Sequence, residues 1–197
     1  NSHHMASYIS SEVNRVLKVK NRARLKPRAK LILSNISKGN DLSLNDNSQS
    51  LSFNYNKLFQ ENKYFGSDKK ESSSRIVLAL EQNYKLKNDL DLNINYGRSY
   101  NFEKNKKFML DIKQDTKFSD HLTEISFSYK NNQINYNSRH DKKNFDLKED
   151  SISYQFNDSK NIFNLNKELT SNNSYINSKS SHFMNVNYTR KINKNSN

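Results

Sequence analysis

Residues 90–96 read Leu-Asp-Leu-Asn-Ile-Asn-Tyr, a strict alternation of apolar and polar side chains. Successive side chains of a β-strand point to opposite faces of a sheet, so this segment predicts a strand with one apolar and one polar face. The same period recurs at 51–55, 76–80, 108–112, 125–129, 134–136, 152–156 and 184–188. Asn-, Lys-, Asp- and Ser-rich stretches between these segments are typical of turns. The chain is therefore predicted to be an all-β antiparallel meander of roughly ten to twelve strands.

The composition is unusually polar for a folded chain. Apolar residues make up 32% of the sequence, against roughly 45–50% in soluble domains, and such polarity is also found in disordered chains. The 11 Tyr and 11 Phe argue against disorder. The net charge of +13 is spread along the chain among acidic residues, without a nucleic-acid-binding motif. We therefore predict no nucleic-acid partner.

The alternation leaves two β architectures open. A sandwich would bury the apolar faces of two sheets against each other, whereas a membrane barrel turns them toward lipid and its polar faces toward a wet lumen. Each segment here carries only three or four apolar side chains, which favours the barrel. No run of 18 apolar residues predicts a transmembrane helix. Residues 1–7 (NSHHMAS) are interpreted as a cloning scar with a tag remnant, and 8–197 as one partial barrel domain.

One region carries a more specific signal, and matches to it continue in order along the chain. Its residues are Leu58-Phe59, Asn62, Phe65-Gly66, Asp68-Lys69, Glu71 and Arg75, preceded by Leu25-Lys26-Pro27-Arg28 and Asn45-Asp46-Asn47-Ser48, and followed by Gly97-Arg98-Ser99-Tyr100. This series resembles the barrel domain of the lipopolysaccharide-assembly outer-membrane protein family, LptD. The sequence departs from the family pattern where Lys26 replaces Glu and where Lys63 and Lys69 replace Arg, and it lacks the family's cysteines.

The resemblance implies a partial transmembrane β-barrel in the outer membrane of a Gram-negative bacterium, without the amino-terminal periplasmic domain and the last strands. It implies lipopolysaccharide transport and assembly through a translocon that passes the lipid to the outer leaflet. The expected partners are lipopolysaccharide, outer-membrane lipid, an LptE-like plug lipoprotein and an LptA-like periplasmic bridge protein. The alternatives are another outer-membrane barrel, either a porin or a surface-lipoprotein exporter, and a soluble β-rich binding module.

Two sets of candidate binding residues follow. Asp68, Glu71 and Arg75 are predicted to form an ion network between a loop and the barrel wall, the alternative being that Gly66 and Asp68 serve only a loop turn. Lys85 and Lys113 lie on the polar side of predicted strands and are candidates for holding an anionic lipid or a plug protein. Alternatively, these two lysines only keep the lumen wet.

No catalytic, cofactor or metal site is predicted. The chain has no Cys, no Gly-x-Ser-x-Gly elbow and no Gly-rich phosphate loop. His121, His140 and His182 lack metal-ligand spacing. Asp141 and Glu149 lie among lysines and are interpreted as a charge cluster rather than a catalytic pair. We therefore predict that the protein is not an enzyme.

The pattern also predicts particular strands and orientations. Residues 50–58, 75–86, 89–100 and 122–130 are expected to be antiparallel strands. Side chains predicted to face outward are Leu92, Ile94, Phe127 and Tyr129, and those predicted to face inward are Asn93, Asn95, Ser126 and Ser128. A slip of one residue in register would exchange the two sets.

Overall fold

The computed structural model describes residues 6–20, 22–36, 54–61, 74–86, 89–102, 117–158, 160–170 and 181–190. These residues contain ten strands and one short 3₁₀ helix, Tyr55–Phe59. The strands are β1 (Ala6–Asn14), β2 (Leu17–Lys20), β3 (Ala23–Ile36), β4 (Arg75–Lys85), β5 (Leu90–Asn101), β6 (His121–Tyr129), β7 (Asn132–His140), β8 (Leu147–Asn157), β9 (Asn161–Thr170) and β10 (Ser181–Arg190).

The strands form one antiparallel sheet in the order β1-β3-β4-β5-β6-β7-β8-β9-β10, with the short β2 paired to β3. Each strand follows its predecessor in the sheet because hairpin connections favour antiparallel neighbours. Within the described residues β1 and β10 are the edges, so the sheet is open. The predicted all-β antiparallel meander is confirmed.

The register divides the sheet into an apolar face and a polar face. Tyr84, Leu92 and Phe127 lie in one cross-strand row, and Asn83, Asn93 and Ser126 lie in the next row on the opposite side. The apolar face continues through β7 and β8 with Ile134, Tyr136, Ile152 and Tyr154. Leu92, Ile94, Phe127 and Tyr129 thus share one face, and Asn93, Asn95, Ser126 and Ser128 share the other, as the alternation requires.

Three of the four predicted strand ranges, 75–86, 89–100 and 122–130, are confirmed by β4, β5 and β6. The prediction of a strand at 50–58 is wrong over residues 54–58, because the chain there turns into the 3₁₀ helix. Residues 50–53 and the segment 108–112 lie outside the described residues. Asn54 explains the turn, since its side-chain oxygen accepts a hydrogen bond from the Lys57 backbone N–H at 3.2 Å and so caps the helix.

Candidate polar-face binding site

A short segment crosses the polar face and is the central feature of the site. We call residues 54–61 the strap. Tyr55 and Leu58 are three positions apart on its 3₁₀ helix, where i and i+3 side chains project from the same side. Both are buried against the sheet, with Ile32 of β3, Val77 of β4 and Leu122 of β6. These five side chains form a small apolar core on the face that is otherwise polar.

Gly97 of β5 makes room for the strap. A Cβ atom at this position would lie 3.0 Å from Leu58 Cδ1, 3.1 Å from Ala79 Cβ and 3.2 Å from Tyr55 Cε2. A glycine inside a strand often marks such a close approach. A glycine within the alternating strand pattern was the sequence signal that could have indicated the strap, but Gly97 was interpreted only as part of the family match.

Arg75 ties the end of the strap to the wall. Its side chain is completely buried on the polar face, and its Nη2 donates hydrogen bonds to the carbonyl oxygens of Gln60 and Glu61. Arg75 thus connects β4 to the backbone of the strap. Asp68 and Glu71, its predicted partners, lie outside the described residues, so the ion network itself stays a prediction.

A first ion cluster lies beneath the strap, across β1, β3 and β4. Arg28 Nε donates to Glu12 Oε1 at 2.9 Å, and Arg28 Nη1 donates to Glu81 Oε1. Its guanidinium stacks 3.8 Å from the centre of the Phe59 ring, a geometry that arginine supports through its planar, delocalised charge. The cluster therefore joins three strands and also contacts the strap through Phe59.

Tyr55 adds a second polar link from the strap to this cluster. Its hydroxyl donates to Glu81 Oε1 at 3.0 Å, while Lys26 Nζ lies 3.3 Å from Glu81 Oε2. Burial, together with the negative charge of Glu81, raises the pKa of Tyr55 well above its ordinary range. Tyr55 therefore stays a neutral hydrogen-bond donor at neutral pH.

Glu61, the last residue of the strap, is bound to β1 and β3. Lys30 Nζ donates to Glu61 Oε1 at 2.7 Å and to the Phe59 carbonyl at 2.6 Å, and Ser10 Oγ donates to Glu61 Oε1 at 2.9 Å. The pKa of Glu61 is lowered to about 2, mainly by the hydrogen bond from Lys30 and to a smaller extent by the bond from Ser10, against the opposing effect of burial. The carboxylate form of Glu61 is thus the form that holds the strap.

We expect strap docking to weaken at low pH. Because the pKa of Glu61 is depressed when the strap is docked, its contribution is complete above the ordinary value near 4.5 and is lost as the pH falls through about 2. The distance between spin labels at Asn56 and Ser128 should therefore lengthen over this interval. A Glu61→Gln variant should lengthen less over this interval than the parent protein, because only the Tyr55–Glu81 link of the strap can then still lose its carboxylate. A profile like that of the parent protein would contradict the role of Glu61.

A second ion cluster joins β7 and β8 to the connection between them and to Asp120, the residue that precedes β6. Lys148 Nζ contacts Asp120 at 2.9 and 3.1 Å and Asp141 Oδ2 at 2.7 Å. Arg139 Nη2 donates to Glu149 Oε1 at 2.7 Å. Burial alone would raise the pKa of Asp141, but the hydrogen bond from Lys148 and those from two backbone N–H groups lower it to about 2. Asp141 and Glu149 are each matched by a cation, which agrees with a charge cluster.

Below the strap, the polar face carries a belt of neutral amides and hydroxyls. Asn83 Nδ2 donates to Asn93 Oδ1, and Asn93 Nδ2 donates to Ser126 Oγ at 3.1 Å. The pattern continues where Asn135 donates to Ser153 at 3.3 Å. Such side chains offer donors and acceptors without fixed charge, so the belt suits contact with hydroxyl-rich groups.

Of the two lysines predicted to hold an anionic lipid or a plug protein, the structure describes only Lys85. Lys85 is exposed, lies on the polar face and faces Asp91 across the β4–β5 hairpin. Lys113 lies outside the described residues. The strap was not predicted as a unit, and neither were the first ion cluster, around Arg28, and the second ion cluster, around Asp120. Each of them joins residues that are far apart in sequence.

The described part of the chain contains no group of three or more His, Cys, Asp or Glu side chains placed to hold a metal ion. None of the helices in the described ranges is long and apolar enough to cross a membrane.

An antiparallel meander with one apolar and one polar face has the architecture of the wall of an outer-membrane β-barrel. The family model of LptD, "LPS transport system D", matches residues 5–195. The chain therefore belongs to the LptD family, a family of outer-membrane lipopolysaccharide-transport proteins of Gram-negative bacteria. Comparison with curated proteins gives no match.

Proposed function

We propose that this chain forms part of a β-barrel translocon wall that passes lipopolysaccharide to the outer leaflet. Its apolar face meets lipid and its polar face lines the lumen. The observation that carries this proposal is the exposure of large apolar side chains on one face, including Ile9 (73%), Val13 (72%) and Met184 (63%). A contiguous exposed apolar surface is rare on soluble monomers and marks an interaction with lipid or protein.

Connection lengths support one orientation of this wall in the membrane. The connections after β3, β5, β7 and β9 span residues 37–74, 102–120, 141–146 and 171–180. Those after β4, β6 and β8 span only 86–89, 130–131 and 158–160. Outer-membrane barrels have short periplasmic turns and longer extracellular loops. The end that carries the longer connections, which we call the long-loop end, is therefore proposed to face outward.

The polar face offers two kinds of surface to a lipopolysaccharide in transit. The Asp120 ion cluster lies at the long-loop end, the Arg28 ion cluster beneath the strap lies near the middle of the strands, and the neutral Asn/Ser belt lies nearer the short-loop end. The belt suits the sugar hydroxyls, and Lys85 at the short-loop end suits a phosphate or an acidic side chain. An LptE-like plug and an LptA-like bridge are the proposed protein partners, and Lys113 remains a second candidate contact.

Site-specific crosslinking tests this assignment. A photo-crosslinker at Lys85 in the whole protein in cells should capture lipopolysaccharide or a lumenal lipoprotein, because this side chain lies on the polar face. A crosslinker at Leu92, on the apolar face of the adjacent strand, is the matched control and should capture only bulk lipid. Bulk-lipid labelling at Lys85 would place the polar face outside the lumen and overturn the proposal.

A further inference from the structure

Three basic side chains interrupt the apolar face at the long-loop end. His121 of β6 pairs in register with His140 of β7. Gly97 of β5 pairs with Leu122, so the next residue, Arg98, lies alongside His121. We call Arg98, His121 and His140 the basic row. It spans three strands on the face that is otherwise occupied mainly by Leu, Ile, Val, Tyr and Phe.

The basic row has donors that the protein does not satisfy. Arg98 makes one hydrogen bond, from Nη2 to the Ser119 carbonyl at 3.3 Å, and its Nε is buried without an acceptor. His140 Nδ1 is also buried without a partner. Among the described residues no carboxylate forms an ion pair with Arg98, in contrast to Arg28 and Arg139 on the polar face. Arg98 as a whole is only partly buried, so its guanidinium is open to an external anion, which would supply the counter-charge that the row lacks.

Aromatic rings surround the row. His121 shares a hydrogen bond with Tyr96 at 2.5 Å, and the Phe145 ring lies 4.6 Å from the His121 ring and 5.1 Å from the His140 ring. Arg98 stacks 4.7 Å from the centre of the Phe118 ring. Phe118 and Phe145 are 50% and 57% exposed. Aromatic side chains at strand ends are typical of the level where a barrel meets lipid headgroups.

Apolar side chains flank the row in the sheet. Leu78 of β4 faces Arg98 across the strand pair, and Leu147 of β8 faces His140. Their exposures are 54% and 37%. The surface thus places a guanidinium and imidazoles beside exposed leucines, which matches an amphiphile with an anionic headgroup and acyl chains.

We propose that the basic row binds a phosphate of a lipopolysaccharide molecule in the outer leaflet, from the outside of the barrel wall. The planar guanidinium of Arg98 can donate two hydrogen bonds to phosphate oxygens, His140 adds a donor, and Leu78 and Leu147 contact the acyl chains. This site lies on the opposite face from the proposed lumenal path. This inference rests on the proposed function in two respects: the apolar face is assigned to lipid, and the long-loop end is assigned to the outside of the cell.

Native mass spectrometry of the whole protein in detergent micelles can test this proposal, with diphosphoryl lipid A as the probe. Arg98→Gln should weaken retention of the lipid about tenfold, the loss expected for one charge-assisted hydrogen bond. Arg190→Gln is the matched control, because Arg190 lies on the same face at the opposite end of the strands. It should retain lipid A like the parent protein. Circular dichroism verifies that both variants keep their sheet.

Further probes separate the phosphate contact from other binding. Dephosphorylated lipid A should bind the parent protein about as weakly as diphosphoryl lipid A binds Arg98→Gln. Equal retention of both lipids by the parent protein, or unchanged retention by Arg98→Gln, would overturn the proposal. Should Arg98→Gln fail to fold, His140→Gln provides the same comparison. Lumenal crosslinking at Lys85 is measured separately, so failure of the basic row leaves the transport proposal standing, whereas bulk-lipid labelling at Lys85 would overturn the transport proposal itself.

Discussion

Replacing Gly97 by leucine is expected to detach the strap from the polar face while the sheet remains paired. Even a Cβ at this position would lie 3.0 Å from Leu58 Cδ1 and 3.2 Å from Tyr55 Cε2. Overpacking of this kind costs about 1–3 kcal/mol, a factor of roughly 5 to 160 in the ratio of docked to detached strap. Because Lys57 is only 5% exposed when the strap is docked, trypsin cleavage after Lys57 should accelerate accordingly.

Two further variants sharpen this test. Gly97→Ala requires its neighbours to move by only a few tenths of an ångström, so it should accelerate cleavage much less than leucine does. Ser128→Leu adds a side chain of the same size to the same face, nearer the short-loop end, and should leave cleavage unchanged. Equal protection of Lys57 in the Gly97→Leu and parent proteins would show that the strap does not rest on Gly97.

Replacing Asp120 by asparagine is expected to cause the largest loss of stability. Asp120 is 8% exposed, contacts Lys148 at 2.9 Å and accepts a hydrogen bond from the Lys142 backbone N–H at 3.3 Å. Removing one member of a buried ion cluster typically costs about 3–5 kcal/mol, because the remaining charge is left unmatched. Since Asp141 and Glu149 continue to pair with Lys148 and Arg139, we expect a loss near the lower limit, about 3 kcal/mol.

Urea unfolding in detergent micelles, followed by far-ultraviolet circular dichroism, measures this loss. The chain has no Trp, so tryptophan fluorescence cannot report it. Asp91→Asn is the control, because Asp91 also lies on the polar face but outside the ion cluster, and such surface changes usually stay within about 0.5 kcal/mol. A loss for Asp120→Asn no greater than that of the control would mean that the cluster does not stabilise the sheet.

The sequence by itself determined the repeating element of this protein and its family. Alternation in segments such as 90–96 defines both the strand and its two faces, because the side-chain period of a strand is fixed by backbone geometry. The ordered family match located the chain in the LptD family. Both conclusions depend on short-range or ordered patterns that a single sequence displays directly.

Only the tertiary structure decided where distant segments meet. Tyr55 was interpreted as part of an alternating strand, yet it lies on the strap, because capping by Asn54 and burial of Leu58 against Val77 outweigh the local period. Arg28 joins Glu12 and Glu81, and Asp120 joins Lys148, only after strand register brings them together. Such contacts depend on pairing between strands rather than on spacing along the chain. The basic row likewise exists only because the hairpins align Arg98, His121 and His140 on one face.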